Sequence, residues 1–393
     1  MSVRTLLKLN KLFRVPEHPF NEAGVASGRQ NTAGADASLA YAQWEYDRAE
    51  ASLVCYAPFY APGDILFRKK VLDVGCGAGG KSVWYAQKYK ADVFAVDVVK
   101  SYEDQAWRFA EKLGVSTVYG VEGSCDRDAV AVKSSPDAGS ASRGRITDAG
   151  SESRQVRFAG GGSFRFILAD ASDTGFADET FDTIIMNDAF EHLADPEAVL
   201  KECTRLLRPG GRLFLNFPPY GHPYGAHLSD LIGIPWVHRL FSEKDCIEAY
   251  RQLAEELDER TGQSDVAGPG QPNDNGPKQV RAARPAVSGA ERIAFRFTED
   301  EKGTLRNTYI NKMTLKRFKD ILQKISGTGS RRNTKTADYP PAMTSQNGGP
   351  ADPPLQLKLY REKPLRGWLL PVAKIPGLKE NFVRMVVCVL EKP

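Results

Sequence analysis

Closely spaced cysteines are absent from this sequence of 393 residues. Its six cysteines lie far apart, and no two of them form a C-x-x-C pair. Small secreted domains and structural zinc sites depend on short cysteine spacings, because neighbouring thiols close small loops or hold a metal. The sequence therefore argues against both classes and favours a protein of a reducing compartment.

Long apolar runs and a strong excess of one charge are also missing. No uninterrupted apolar run approaches the roughly 20 residues that a membrane span requires, and the first residues contain no hydrophobic signal core. The 53 basic and 49 acidic residues give a formal net charge of only +4, an excess too small to favour nucleic acid binding. We expect a cytoplasmic protein with no transmembrane segment and no nucleic acid partner. The sequence does not indicate its oligomeric state.

The first fifteen residues are basic. They include Arg4, Lys8, Lys11 and Arg14 but no acidic residue, and apolar side chains lie between these cations. Three interpretations fit such a segment: a transit peptide, a helix on a membrane surface, or a short helix docked over an active site. The last interpretation requires the fewest assumptions. It predicts that residues 1–69 form an N-terminal helical lid segment.

Three stretches are rich in Gly, Ser, Pro, Asp, Asn and Arg and poor in large apolar residues: 123–163, 258–290 and 327–354. Such composition cannot bury enough apolar surface to offset the entropy lost on ordering. We therefore expect three flexible surface insertions within one domain that spans residues 70–393 and has a single core.

Short apolar strands alternate with helical stretches through the rest of the sequence. The predicted strands are Lys70 to Val74, Asp92 to Val96, Phe164 to Leu168, Thr183 to Met186, Arg212 to Phe217, Leu355 to Tyr360 and Val383 to Leu390. Amphipathic helices are predicted from Asp195 to Leu207, Ser242 to Leu257 and Thr314 to Ile325. This alternation is typical of a parallel sheet flanked by helices, so we expect an α/β fold.

The strongest local signal is a glycine-rich turn that follows the first predicted strand. Residues 71–80 read Val-Leu-Asp-Val-Gly-Cys-Gly-Ala-Gly-Gly. Glycines at 75, 77 and 79 let the backbone approach a ligand closely and adopt positive φ, because no Cβ obstructs either. Asp97 ends the second strand about 20 residues later, where a carboxylate can accept both hydroxyl hydrogens of a ribose. Both features also fit a nicotinamide-binding enzyme.

Two further acids favour a cofactor other than a nicotinamide dinucleotide. Asp73 lies inside the strand before the glycines, and Asp170 follows the third predicted strand. The sequence thereby resembles the class I S-adenosylmethionine-dependent methyltransferases. Four motifs between Val71 and Phe217 support the resemblance: the Asp73 and glycine turn, Asp97, Asp170, and residues 187–193 with the turn at 206–213.

The resemblance implies a Rossmann-like, mostly parallel sheet of seven strands whose last strand is antiparallel. It also implies that S-adenosylmethionine is the cofactor and that a methyl group leaves its sulfonium in an SN2 step. The contacts to this cofactor are assigned by resemblance to eight residues: Asp73, Gly75, Gly77, Gly79, Asp97, Asp170, Ala171 and Asn187. Asp97 would hold the ribose, and Asp170 would contact the adenine amino group.

Residues 218–303 lie where this family usually inserts a helical cap for the acceptor. His222 and His227 fall in this segment, and His192 follows the fourth strand. Histidine suits a general base near neutral pH, so these three are the catalytic candidates, with His227 first. An alternative is that His222 and His227 only hold the cap through hydrogen bonds. No histidine spacing typical of a metal site occurs, and we expect no metal.

The acceptor is expected to be a small molecule, methylated on oxygen or nitrogen and with less support on carbon. Two other functions remain open at this point. One is a cofactor-binding protein without catalysis, since a fold does not ensure a function. The other is a nicotinamide-dependent oxidoreductase, which the glycine turn and Asp97 also fit.

Overall fold

The computed structural model describes residues 2–15, 39–114, 116–118, 154–261, 288–326, 354–366, 375 and 378–393. The chain divides into two compact units. The sheet unit comprises residues 42–218, 314–365 and 384–393, and the helical unit comprises residues 1–41, 219–313 and 366–383. Within the described ranges, we find no helix with the length and apolar character needed to cross a membrane.

Eleven strands occur in the described residues. In chain order they are β1 (Lys70–Val74), β2 (Asp92–Asp97), β3 (Ser116–Val118), β4 (Gln155–Arg157), β5 (Ser163–Leu168), β6 (Phe181–Asn187), β7 (Leu207–Phe217), β8 (Phe297–Glu299), β9 (Leu305–Asn307), β10 (Gln356–Pro364) and β11 (Val383–Glu391). Strands β8 and β9 form a small antiparallel pair in the helical unit. The other nine form one sheet in the order β10-β11-β7-β6-β1-β2-β5-β4-β3.

The centre of this sheet is parallel. Strand β1 pairs in parallel with β2 and β6, β2 pairs with β5, and β6 pairs with β7. Strand β11 pairs antiparallel with β7 at one side, and β4 pairs antiparallel with both β5 and β3 at the other. Because parallel strands end at the same edge, the residues that follow β1, β2, β5 and β6 lie along one edge of the sheet.

Ten α-helices occur in the described residues. They are α1 (Val3–Asn10), α2 (Ala40–Leu53), α3 (Pro62–Leu66), α4 (Gly80–Tyr89), α5 (Lys100–Leu113), α6 (Pro196–Leu206), α7 (Val237–Leu240), α8 (Glu243–Thr261), α9 (Gly289–Arg296) and α10 (Leu315–Ile325). Local chemistry explains several boundaries. Asp195 accepts hydrogen bonds from the first backbone N–H groups of α6, and Thr314 does the same for α10, as expected of N-cap residues.

The α/β prediction and the mostly parallel sheet are confirmed, but the predicted number of strands is wrong. All seven predicted strands are present, and β3 and β4 are additional. Each of these two strands has only three residues, and they lie on either side of a low-complexity stretch. So short an alternation of apolar and polar residues gives no recognisable period in the sequence.

The predicted insertions also have different limits in the structure. The stretch 123–163 contains β4, whose Val156 is fully buried, and its last residue, Ser163, begins β5. The stretch 258–290 begins inside α8 and ends inside α9. The remaining residues of these two insertions, 123–153 and 262–287, and residues 327–353 of the third lie outside the described part of the chain. A composition rich in polar residues marked these segments, but it did not mark where the adjoining elements end.

The helical unit has its own apolar core. Helices α1 and α8 pack together, and their buried side chains join those of residues 226–237 and of Phe297. Asn10 fixes the end of α1: its side-chain amide donates to the Leu231 carbonyl oxygen (2.9 Å) and accepts from the Gly233 amide (2.8 Å). Helix α1 is therefore held by both apolar and polar contacts within this unit.

Candidate cofactor-binding site

The glycine turn between β1 and α4 has the backbone conformation that its sequence predicts. Gly75, Gly77 and Gly79 have φ of 69°, 59° and 77°, which side chains with a Cβ rarely adopt. A Cβ on Gly75 would lie 2.5 Å from the Cβ of Ala189. The turn therefore requires glycine for its conformation and, at Gly75, for space as well.

Asp97 lies at the end of β2 and holds this turn. One carboxylate oxygen accepts from the Gly77 amide (2.9 Å) and the other accepts from the Val99 amide (3.0 Å). Burial raises the pKa of Asp97, and the backbone donors oppose that shift. Each oxygen keeps a second lone pair, so this carboxylate can still accept the two hydroxyl hydrogens of a ribose.

Asp73 is buried inside β1 and has a partner within the protein. The hydroxyl of Ser82, on α4, donates to its carboxylate at 2.6 Å. Burial raises the pKa of Asp73 to about 6 even though the Ser82 hydrogen bond and Lys81 oppose the shift. This acid therefore ties the strand to the helix on the other side of the glycine turn.

Asp170 and Ala171 follow β5, and the structure supports the strand alignment on which they depend. Strand β5, rather than β3, is the parallel neighbour of β2, with Leu168 opposite Asp97. Asp170 is exposed, and its Oδ1 atom accepts from both the amide and the hydroxyl of Ser172 (2.8 Å each). The two residues thus lie next to Asp97 along the carboxyl edge of the sheet.

Asn187 ends β6 in a buried network of side-chain hydrogen bonds. Its Oδ1 atom accepts from the hydroxyl of Tyr56 at 2.8 Å and from the amide of Asn216, and its amide donates to the Tyr85 hydroxyl at 3.4 Å. Burial raises the pKa of both tyrosines, which keeps them neutral donors. The network holds the ends of β6 and β7 to helix α4 and to the turn that follows α2.

Glu45, on α2, is a component of the site that sequence reasoning missed. It is buried, and its carboxylate accepts from the amide of Gly80 at 3.1 Å. Burial raises the pKa of Glu45 to about 8, although Lys81 opposes the shift. A Cβ on Gly80 would collide with the Ala42 carbonyl oxygen, so this glycine serves helix packing. No spacing in the sequence relates residue 45 to the glycine turn.

Lys81 is surrounded by carboxylates. Its ammonium lies 3.9 Å from a carboxylate oxygen of Asp188. Burial tends to lower the pKa of Lys81, but Asp188, Glu45 and Asp73 raise it by more. Asp188 itself follows β6 with a φ of 54°, a conformation that asparagine and aspartate tolerate better than most residues.

Glu191 belongs to the 187–193 motif, but no contact to the cofactor and no catalytic role was predicted for it from the sequence. It lies in a 3-10 turn, Phe190–His192, just beyond β6, and only 4% of its surface is exposed. Its Oε2 atom has no hydrogen-bond partner among the described residues. Burial, reinforced by Asp188, raises its pKa well above the usual range. A buried carboxyl group of this kind stays protonated unless a cation approaches it.

The three candidate histidines have different surroundings. His192 lies in the sheet unit, with Nε2 3.8 Å from the Glu191 carboxylate. His222 and His227 lie in the helical unit. The Nδ1 atom of His222 accepts a hydrogen bond from the Tyr224 amide (3.2 Å), which ties the imidazole to the local backbone. His227 has a φ of 54°, and its carbonyl oxygen accepts from the Arg296 guanidinium at 3.2 Å.

Comparison with known proteins agrees with the motifs. Residues 72–215 match a protein-family model described as a methyltransferase domain. This range contains the glycine turn, Asp97, Asp170, Asn187 and most of β7. Residues 72–215 therefore form a class I S-adenosylmethionine-dependent methyltransferase domain.

Several proteins resemble this methyltransferase domain. Methyltransferase GfsG of Streptomyces halstedii is 29% identical over 165 residues, which cover 42% of this chain and 43% of that protein. The ubiquinone biosynthesis O-methyltransferase of Coxiella burnetii is 26% identical over 172 residues, covering 44% and 52%. The chain thus spans about half the length of these curated relatives.

Two S-adenosylmethionine-dependent methyltransferases are among the solved structures to which this chain is similar. The one from Methanosarcina mazei has a TM-score of 0.36 at 14% identity, covering 82% of this chain and 92% of that one. The one from Mesorhizobium loti has a TM-score of 0.35 at 10% identity, covering 88% and 97%.

Proposed function

We propose that this protein transfers a methyl group from S-adenosylmethionine to an oxygen atom of a small molecule. The observation that supports the cofactor most directly is the glycine turn at positive φ, held by Asp97 at the carboxyl edge of a parallel sheet. Oxygen is favoured because one matching protein is named an O-methyltransferase. Nitrogen remains the second possibility for the acceptor atom.

The residues present fit S-adenosylmethionine. Gly75, Gly77 and Gly79 form a backbone surface without side chains, and Asp97 retains lone pairs for the ribose hydroxyls. Asp170 and Ala171 lie one strand further along the edge, where we place the adenine. Asp73 and Asn187 support the same edge from buried positions, through Ser82 and through Tyr56 respectively.

When bound, this cofactor supplies an electrophilic methyl group on a sulfonium, and an acceptor lone pair displaces the thioether in an SN2 step. In the proposed transfer, the bond from oxygen to carbon would form as the bond from sulfur to carbon breaks. A hydroxyl acceptor must also lose its proton to a base or to water. The protein contributes orientation and exclusion of water, which supply much of the rate of such a transfer.

We propose His227 as the base, followed by His222 and His192. The left-handed backbone of His227 is unusual for a residue with a Cβ, and such conformations are concentrated at functional sites. His222 is a weaker candidate because Nδ1 already accepts a backbone hydrogen bond. His192 neighbours a buried carboxyl group, which would stabilise a protonated imidazole.

The domain organisation is also a proposal. We propose that residues 218–303, most of which belong to the helical unit, form the acceptor cap, and that residues 1–69 act as a lid segment. A cytoplasmic location is proposed with them. The described cysteines, Cys55, Cys76, Cys203, Cys246 and Cys388, are all buried and form no disulfides.

Isothermal titration calorimetry of the full chain with S-adenosylmethionine and, separately, with NAD tests the cofactor. We expect saturable binding of S-adenosylmethionine and no binding of NAD. Binding of NAD alone would replace the proposal with a nicotinamide-dependent oxidoreductase. Binding of S-adenosylmethionine without release of S-adenosylhomocysteine, across a panel of phenols, catechols, alcohols and amines, would instead favour a binding protein.

Single Gln variants of His227, His222 and His192 test the base once an acceptor is found. Loss of the base should lower kcat by about 10² or more while the affinity for S-adenosylmethionine stays unchanged. The pH profile should also lose its lower limb, which a structural histidine would leave in place. Full turnover by all three variants at every pH would contradict the assignment of a histidine base.

A further inference from the structure

The basic residues of α1 line a groove on the surface of the helical unit. The groove has a volume of about 400 Å³, and its lining residues are Val3, Arg4, Leu7, Lys8, Lys11 and Gln252. The three cations stand at positions i, i+4 and i+7, so they share one face of the helix. All three are exposed. The groove is therefore positively charged along its length.

Two exposed apolar side chains lie beside these cations. Leu12 is 77% exposed and Phe13 is 42% exposed, and both follow α1 directly. Their backbone is fixed, because the Leu12 amide donates to the Leu9 carbonyl (2.9 Å) and the Phe13 amide donates to the Asn10 carbonyl (3.1 Å). Arg14 follows them and is also exposed. Large apolar groups flanked by cations suit the boundary between lipid headgroups and acyl chains.

Packing within the helical unit uses a different face of α1. Leu6 is fully buried against the core that includes α8, and Asn10 is bonded to the 231–233 segment. Fold stability therefore accounts for Leu6 and Asn10, but it does not explain why Arg4, Lys8 and Lys11 share one exposed face or why Leu12 and Phe13 are exposed. The segment has no acidic residue to reduce this charge.

We propose that Arg4, Lys8, Lys11 and Arg14, with Leu12 and Phe13, form a docking surface for an anionic phospholipid membrane. Headgroup phosphates would lie in the groove of α1 while Leu12 and Phe13 enter the interface. Each Lys or Arg near an anionic membrane surface strengthens binding by about fivefold. Four such charges and two apolar side chains give reversible, salt-sensitive attachment, which brings the protein to a membrane without a spanning helix.

Flotation of the full chain with phosphatidylcholine vesicles, with and without about 30 mol % phosphatidylglycerol, tests this surface. The protein should float with the anionic vesicles and remain in solution with the neutral ones. Raising the salt from about 0.1 M to about 0.5 M should release it, because screening shortens the reach of the charges. Failure to bind anionic vesicles at low salt, or equal binding to neutral vesicles, would overturn the proposal.

A charge-reversal variant locates the surface. Lys8→Glu with Lys11→Glu should weaken vesicle binding by at least about 25-fold, the loss of two favourable charges. The matched control is Lys88→Glu with Lys112→Glu, exposed positions on α4 and α5 that give the same change in net charge. The control should bind within about twofold of the parent. Equal losses in the two variants would mean that net charge alone attracts the protein, which overturns the assignment to α1.

A second variant separates a lipid surface from a nucleic acid. Leu12→Ser with Phe13→Ser keeps every cation, so it should weaken vesicle binding while leaving any binding of a single-stranded RNA oligonucleotide to the cations intact. Circular dichroism and thermal unfolding of each variant establish that α1 stays folded. RNA binding that is tighter than vesicle binding and lost in the Lys8 and Lys11 variant would assign the groove to nucleic acid and overturn the lipid proposal.

Discussion

The acids buried around the glycine turn of the sheet unit and the charged cluster buried in the helical unit are stabilised in different ways. In the sheet unit, three acids are buried near the glycine turn or just beyond β6: Glu45, Asp73 and Glu191. Burial raises the pKa of each, to about 8 for Glu45 and about 6 for Asp73, and well above the usual range for Glu191. Glu45 and Glu191 therefore tend to keep their protons near neutral pH, whereas Asp73 ionises just below it.

The helical unit buries ion pairs instead. Asp230 is almost completely buried, and its Oδ2 atom lies 2.9 Å from the Arg292 guanidinium and 3.2 Å from that of Arg296. The hydroxyl of Tyr250 donates to the same oxygen at 2.7 Å. The guanidinium of Arg296 also lies over the rings of Tyr250 and Tyr309. Here the carboxylate has cationic partners inside the protein, whatever ligand is bound.

The difference suggests different roles for the two sets of buried groups. A protonated carboxyl group can ionise when a cation approaches, so the acids of the sheet unit can respond to a positively charged ligand. A carboxylate already paired with two guanidinium groups stays ionised whether or not a ligand binds. Its role is therefore to stabilise the fold. We therefore expect substitutions in the helical unit to affect stability and substitutions in the sheet unit to affect binding and pH dependence.

The largest effect should come from Asp230→Ala. Removing one member of a buried charged cluster typically costs about 3 to 5 kcal/mol, because the remaining charges are left without compensation. Urea unfolding followed by circular dichroism measures the loss. Glu255→Ala is the control, since Glu255 is half exposed on α8 and 3.5 Å from Arg251; it should change stability by less than about 0.5 kcal/mol. A similar small change for Asp230→Ala would refute the structural role of the cluster.

Asp97→Ala should weaken S-adenosylmethionine binding by about 10- to 150-fold, the equivalent of about 1.5 to 3 kcal/mol for hydrogen bonds to a charged group. The variant also loses the bonds to the Gly77 and Val99 amides that hold the turn. Calorimetry on the folded variant measures the change. Asp92→Ala, at the opposite end of β2 and paired with Arg165, should bind the cofactor within about twofold. Parental affinity in the Asp97 variant would remove the ribose assignment.

Glu45→Gln should flatten the dependence of stability on pH. Because the folded protein holds this proton more tightly than the unfolded chain does, the contribution of Glu45 to stability is greatest at low pH. It falls as pH rises from the ordinary value of 4.5 to about 8. The slope is up to about 1.4 kcal/mol per pH unit. Urea unfolding at several pH values across this window tests it, with exposed Glu50→Gln on the same helix as the control. An unchanged slope in Glu45→Gln would show that other groups carry the dependence.

Cofactor binding should release a fraction of a proton at neutral pH. S-adenosylmethionine carries a sulfonium that its product S-adenosylhomocysteine lacks, and a nearby positive charge lowers the pKa of a carboxyl group. Calorimetry in buffers of different ionisation enthalpy measures the protons released. We expect more release with the substrate than with the product, and less in Glu45→Gln. Equal release with both ligands would show that the buried acids do not sense the sulfonium.

The parts of the site that could be predicted from sequence are those whose residues are close along the chain. The glycine turn and Asp97 belong to one β-α-β segment, so a local motif specified both the strand ends and the carboxylate that holds the turn. Asp170 required only that β5 be recognised as the neighbour of β2. Each of these predictions depends on a few residues whose spacing is fixed by the backbone.

Long-range contacts could not be predicted in the same way. Glu45 reaches Gly80 across 35 residues, and Asp230 meets Arg292 across 62. Nothing in a helical periodicity indicates that either pair would meet, because the contact depends on how the elements pack. Strands β3 and β4 were missed for a different reason, since three residues are too few to show an alternating pattern.

The smallest effect is expected from shortening the connection between β3 and β4. Val118 pairs with Gln155 across this antiparallel pair, so a short turn can join the two strands. Replacing residues 121–152 by a four-residue Gly/Asn/Ser linker should raise stability by only about 1 kcal/mol, the gain from closing a shorter loop, and should leave cofactor affinity unchanged.

Extending the deletion through residue 157 should instead lower stability, because it removes the buried side chain of Val156 and the strand that pairs with β5. Thermal unfolding of the two deletions compares them directly. A large loss of stability in the shorter deletion would show that residues 121–152 contribute to the fold, contrary to what their composition predicts.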